Sequence, residues 1–144
     1  MRPWLALVAL AVLGAAFAGC KSAQRPGPGG GRFGLVKELA VEVCYPPGEQ
    51  EFLHRLRCPG GGPARQVERG SVGTRTPARN PDDPRLLEQL DAGRRLRVGE
   101  PDFHLVDRFL LSCPDGDWTV YIDMYHCNQP PPSQAPDGME LAGP

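Results

Sequence analysis

Lysine is almost missing from this chain: it stands only at positions 21 and 37, while arginine supplies the other basic groups. A phosphate-binding P-loop, which needs a lysine behind its glycines, is therefore excluded from the residues after 37. No charge of one sign dominates either. Sixteen Lys+Arg face seventeen Asp+Glu for a net charge of −1, a balance unlike that of a dedicated nucleic-acid binder. Neither C-x-x-C nor H-x-x-x-H spacing occurs, and Gly70-Ser71-Val72-Gly73 is not the G-x-S-x-G elbow of a hydrolase. Ser112 and His104 share a predicted strand eight residues apart, about 26 Å, too far for a dyad. The acidic turns at Asp82-Asp83 and Asp115-Gly116-Asp117 lack calcium-loop spacing and suit caps and turns. Gly29-x-Gly31-x-x-Gly34 matches a dinucleotide fingerprint by letter, but it follows no strand. These absences lead us to expect no enzyme, no cofactor and no nucleic-acid partner.

The N-terminus is more informative. Arg2 precedes an apolar stretch from Trp4 to Phe17 of fourteen residues, short of the roughly 20 that span a bilayer. A basic start, a short apolar run and small residues at its end read as an export signal. Phe17-Ala18-Gly19-Cys20 resembles the lipobox of bacterial lipoproteins, with Phe17 standing where Leu is commoner. The resemblance covers residues 1–20 alone. It implies a signal peptide over 1–19, cleavage before Cys20, and acylation of Cys20 as an anchor in a membrane of the cell envelope. In enteric bacteria, Lys rather than Asp after the lipidated Cys goes with the outer membrane, so Lys21 implies that destination. More than one acyl chain makes such anchoring effectively permanent.

Behind Cys20, residues 20–34 form a Gly/Pro-rich tether, and 128–144, with Pro130-Pro131-Pro132, reads as a disordered tail. Residues 35–127 remain as one small domain, broken by a flexible loop over 59–81 dense in Gly, Pro, Arg and Thr. Its pattern is mainly β (small α+β): two antiparallel hairpins with one short helix. The stronger hairpin alternates over 103–113 and 118–127 around Pro114-Asp115-Gly116-Asp117. With Asp115-Gly116 as the turn, Leu111 meets Val120, Phe109 meets Ile122, and Arg108 meets Asp123. The weaker hairpin pairs 39–45 with 52–58 across Pro46-Pro47-Gly48, a helix over 33–43 being the alternative. Asp83 caps a short helix beginning at Pro84 and ending at Gly93.

Four cysteines remain after Cys20: Cys44, Cys58, Cys113 and Cys127. An even count in a small exported domain predicts two disulfides. The stronger hairpin separates Cys113 from Cys127 by roughly 30 Å along the strands, so that pair is excluded, and with it Cys44–Cys58. Two pairings stay open: 58–113 with 44–127, or 44–113 with 58–127. The first nests one loop in the other and is preferred. The equal spacing of 44 to 58 and 113 to 127 raises the question of an internal duplication.

Two sets of side chains stand out as candidate contacts. Arg55 to Gly99 holds ten Arg against five acids, whereas Glu100 to Pro144 holds one Arg against eight. Arg65, Arg69, Arg75 and Arg79, with Arg94, Arg95 and Arg97 behind them, could meet lipid phosphates or an anionic envelope polymer, or instead pair with the acidic C-terminal hairpin. Tyr121 and Tyr125 on the outer hairpin face could serve an envelope protein partner. The functional expectation is a non-catalytic envelope binding or accessory module. The alternative is a metal-binding or enzymatic domain built on His104, His126 and Cys127, which requires Cys127 as thiolate.

Overall fold

The computed structural model describes residues 31–143. The signal, Cys20, Lys21 and most of the tether lie outside the described residues. The chain runs through a 3-10 turn (Lys37–Leu39), β1 (Val41–Glu42), α1 (Tyr45–Arg55), β2 (Leu56–Arg57), β3 (Arg65–Thr74), α2 (Pro84–Glu88), β4 (Leu105–Cys113), β5 (Gly116–Asp123) and β6 (Glu140–Leu141). A four-stranded sheet has the order β1-β5-β4-β3, and β2 pairs with β6 separately. The fold is mainly β, with short helical elements and two disulfides.

The β4–β5 hairpin forms where alternation predicted it, with a register two residues from the expected one. Cys113 faces Gly116, Leu111 faces Trp118 and Phe109 faces Val120. Pro114 and Asp115 make the turn, because the proline ring presets φ for a turn's second position and Gly116 takes the positive φ of 131°. A two-residue shift leaves every side chain on its face, so the core set survives. Phe109, Leu111, Val120 and Ile122 are buried in the core, whereas Leu105, expected on the same face, is exposed and Val106, expected on the other, is buried. The expected Arg108–Asp123 pair does not survive: Arg108 faces Tyr121 and bonds Glu68.

The weaker hairpin is absent. Val41–Glu42 instead runs parallel to β5, and Tyr45–Arg55 is helical. Pro46-Pro47, read as a turn, also suits a helix's first positions, where no intrahelical N–H is required. Glu49, Phe52 and Leu53 then fall on one buried helical face, at i, i+3 and i+4. The helical alternative for 33–43 is reduced to the single 3-10 turn. Segments 44–58 and 113–127 thus fold differently, which removes the duplication.

The expected loop 59–81 contains the ten-residue edge strand β3, antiparallel to β4, with register shifts between Gln66/Glu68 and Ser71/Thr74. The expected disordered tail also has a place. Met139 is buried, β6 pairs with β2, and Asp137 accepts the Phe33 N–H at 2.7 Å. The end of the tether is thereby tied to the tail. Helix α2 keeps its Asp83 cap, which accepts from the Arg85 N–H, but it ends at Glu88 rather than Gly93.

The nested cysteine pairing is the one formed: Cys44–Cys127 across 83 positions and Cys58–Cys113 across 55. The first sews the start of α1 to the segment after β5. The second joins the end of β2 to the hairpin turn.

Candidate functional site

At one end of the large sheet, four segments deliver polar side chains to one place. Glu42 comes from β1, Arg75 follows β3, Asp102 and His104 precede β4, and Asp123 ends β5 with His126 just beyond. Backbone bonds fix these approaches. Arg75 and Thr76 N–H groups donate to the carbonyls of His104 and Asp102, prolonging the β3–β4 ladder. The Val43 N–H donates to Asp123, and the His126 N–H to Val43. Cys127, adjacent to His126, is locked to Cys44. Tyr45, next to Cys44, carries a φ of 52°, a conformation that side chains other than glycine seldom adopt.

Asp102, His104, Asp123 and His126 each offer one ligand-type atom, and these atoms all lie within 4.8 Å of one another. The His126 Nε2 is 3.0 Å from Asp123 Oδ2. His104 Nδ1 is 3.1 Å from Asp102 Oδ1 and 3.7 Å from Asp123 Oδ2. Asp123 is fully buried and His104 is 1% exposed. The His104 ring stacks on Tyr125 and meets the edge of His126, with ring centroids 5.5 and 4.9 Å away.

Arg75 neutralises part of the charge. Its guanidinium touches Glu42 at 2.7 Å, Asp102 at 3.1 Å and Asp123 at 3.0 Å. Burial works against ionisation of Asp102, but the His104 imidazole and N–H and the Arg75 charge outweigh it. The Asp102 carboxyl is held below its ordinary range. Tyr125 moves the other way, since burial and the charges of Asp107 and Asp123 keep its phenol protonated. Further contacts orient the group. The Tyr125 N–H donates to Asp123 Oδ1, the His104 N–H to Asp102 Oδ1, and Gln129 Nε2 lies 3.0 Å from His126 Nδ1. An open recess of about 530 Å³ lies over the cluster, bordered by Glu42, Asp102, His126, Arg94 and Gln129.

Several residues singled out from sequence take other roles. Cys127 is a cystine half, so the metal alternative loses its thiolate. Arg69 turns inward to Asp107 (2.5 Å) and Glu49 (3.1 Å), and Arg75 enters the cluster described above. Both thus pair with acids of this chain. Arg65 and Arg79 are exposed. Tyr121 is half-buried in β5, with its N–H donating to Gly34, and Tyr125 covers His104. Cys20 lies outside the described residues. Sequence reasoning found both histidines and missed Asp102 and Asp123 as their neighbours. The available signal was Asp-x-His at 102–104 with Asp-x-x-His at 123–126, two short pairs at facing strand ends.

Comparison with family models, with curated proteins and with solved structures finds no match for this chain.

Proposed function

We propose that this chain is a lipid-anchored, non-catalytic module of the bacterial cell envelope. Its stapled domain stands outside the cytoplasm and binds an envelope protein or anionic polymer. The observation that carries this reading is the pair of disulfides, which join segments 83 and 55 positions apart. Structural cystines of this kind persist in oxidising compartments and are rare in the cytosol. The export signal and lipobox-like Cys20 supply the route and the anchor. The exposed Arg65 and Arg79 supply cationic contacts. With all four domain cysteines paired, no thiol nucleophile is available among the described residues.

The test is expression of the full chain in a bacterial host, with fractionation and metabolic labelling by a fatty acid. The wild type is expected in the membrane fraction with label. Cys20→Ala is expected to lose the label and leave that fraction. A wild type that is soluble and unlabelled, or label that survives Cys20→Ala, contradicts the reading.

A further inference from the structure

We propose that Asp102, His104, Asp123 and His126 form a binding site for a first-row divalent metal ion of the Zn2+ type. The site does not depend on the lipid anchor.

Charge provides the first argument. One guanidinium faces the three carboxylates of Glu42, Asp102 and Asp123, an acidic excess beside which only the two imidazoles stand. Asp123 is buried completely, where unbalanced charge is strongly unfavourable. A dication supplies the missing charge.

His104 provides the second, independent argument. Neither of its ring nitrogens has a well-directed hydrogen bond among the described residues, although the side chain is 1% exposed. Its Nδ1 sits between Asp102 Oδ1 and Asp123 Oδ2 without aligning on either. Buried polar atoms are normally satisfied, and an orphan marks a strained or ligand-binding position. An ion set among the four residues gives Nδ1 a partner. The Nε2 faces no such role, and the Tyr125 and His126 rings flank the imidazole.

Geometry and chemistry agree. Ligands about 2.0–2.2 Å from a tetrahedral ion lie roughly 3.3–3.6 Å from each other. Three ligand pairs stand at 3.0, 3.1 and 3.7 Å and all four atoms lie within 4.8 Å, so closing on an ion asks for side-chain movements of about an ångström. Two imidazoles with two carboxylates suit Zn2+ better than the all-oxygen set preferred by Ca2+ or Mg2+. The surrounding contacts are those of an outer shell. Arg75 hydrogen-bonds Asp123 and forms an ion pair with Asp102, main-chain N–H groups hold each carboxylate, and Gln129 faces the outer nitrogen of His126. Between His126 Nε2 and Asp123 Oδ2, at 3.0 Å, the ion takes the place of their direct contact, with the imidazole proton carried on Nδ1. The recess over Asp102 and His126 gives the ion a way in.

The experiment uses the full chain extracted in detergent, with disulfides intact, any free thiol alkylated, and metal removed by chelation. It is dialysed against Zn2+ and assayed by elemental analysis. The expected result is one Zn2+ per chain with a Kd below about 10 μM. His126→Gln should weaken binding at least tenfold, and His54→Gln, at the exposed third histidine, should not change it. Should His126→Gln fail to fold, imidazole nitrogen NMR of the wild type decides: His104 and His126 shift with Zn2+ while His54 does not. Less than a tenth of an equivalent bound at about 100 μM free Zn2+ overturns the proposal. So does unchanged binding in a folded His126→Gln, or a shift confined to His54.

Discussion

Arg75 carries a guanidinium from the end of β3 to within 3.0 Å of the buried Asp123 carboxylate at the end of β5, across the width of β4. This contact joins the most basic segment of the chain to its most acidic one. Among the described residues, Arg75 supplies the one guanidinium paired with Asp123. Removing one partner of such a pair strands the other in a region of low polarity. Arg75→Gln is therefore expected to lower unfolding free energy by about 3–5 kcal/mol, measured by chemical denaturation without metal. Saturating Zn2+ should recover part of that loss, since ligands that bind only the folded state stabilise it. An equal loss with and without Zn2+ would count against the metal site.

Gln129 is exposed, yet its amide lies 3.0 Å from His126 Nδ1 and 2.5 Å from Glu42 Oε2. Its contact with Nδ1 holds the ring with Nε2 directed at Asp123. Gln129→Ala should reduce Zn2+ affinity by roughly 10–100-fold, as outer-shell changes do. Thermal stability of the metal-free protein should scarcely move. Calorimetric titration of the two proteins compares the affinities directly.

Glu49 sits fully buried on α1, where desolvation outweighs the attraction of Arg69 and pushes its carboxyl above the ordinary range. A carboxyl whose folded pKa is raised favours the folded state when protonated. Its contribution is thus full below the unfolded value, near 4.5, and is lost as pH rises through the folded one. Glu49→Gln mimics the protonated form and leaves Arg69 paired with Asp107. The variant should match or exceed wild-type stability at pH 7.5, with the difference closing as pH falls toward 4.5. Denaturation midpoints across that range check the sign. A variant that is least stable, relative to wild type, at high pH would contradict it.

The Cys58–Cys113 bridge closes 55 positions between β2 and the hairpin turn, and Cys58 is fully buried. On the chain-entropy model, a loop of that size contributes about 4 kcal/mol. The paired change Cys58→Ala with Cys113→Ala should cost about that much, with cavity effects at Cys58 adding to it. Equilibrium denaturation under non-reducing conditions measures the loss.

What the sequence made legible followed from period and chemistry. Alternation over 103–113 and 118–127 located the central hairpin, and its geometry ruled out one cystine pairing. The register slipped because Pro114-Asp115 and Asp115-Gly116 both satisfy turn chemistry, and the glycine served as the residue after the turn. Strand β3 was hidden for a different reason. It lies on the sheet edge, Val67 is 54% exposed, and glycines at 70 and 73 break the alternation that burial would impose. Helix α1 was concealed by Pro-Pro-Gly, which fits a turn as well as a helix start. The candidate site was half visible. The histidines attracted notice, but Asp102 and Asp123 read as ordinary strand-end acids. Only the β1-β5-β4-β3 order brings them together with Arg75. Such a cluster depends on tertiary placement rather than local spacing.

The most direct test of the central claim is a non-reducing peptide map, by mass spectrometry, of protein extracted from the membrane fraction. The account predicts an acylated Cys20 at the mature N-terminus and two cross-links, Cys44–Cys127 and Cys58–Cys113. An unmodified Cys20 with the signal still attached, or free thiols at the other four positions, would contradict it.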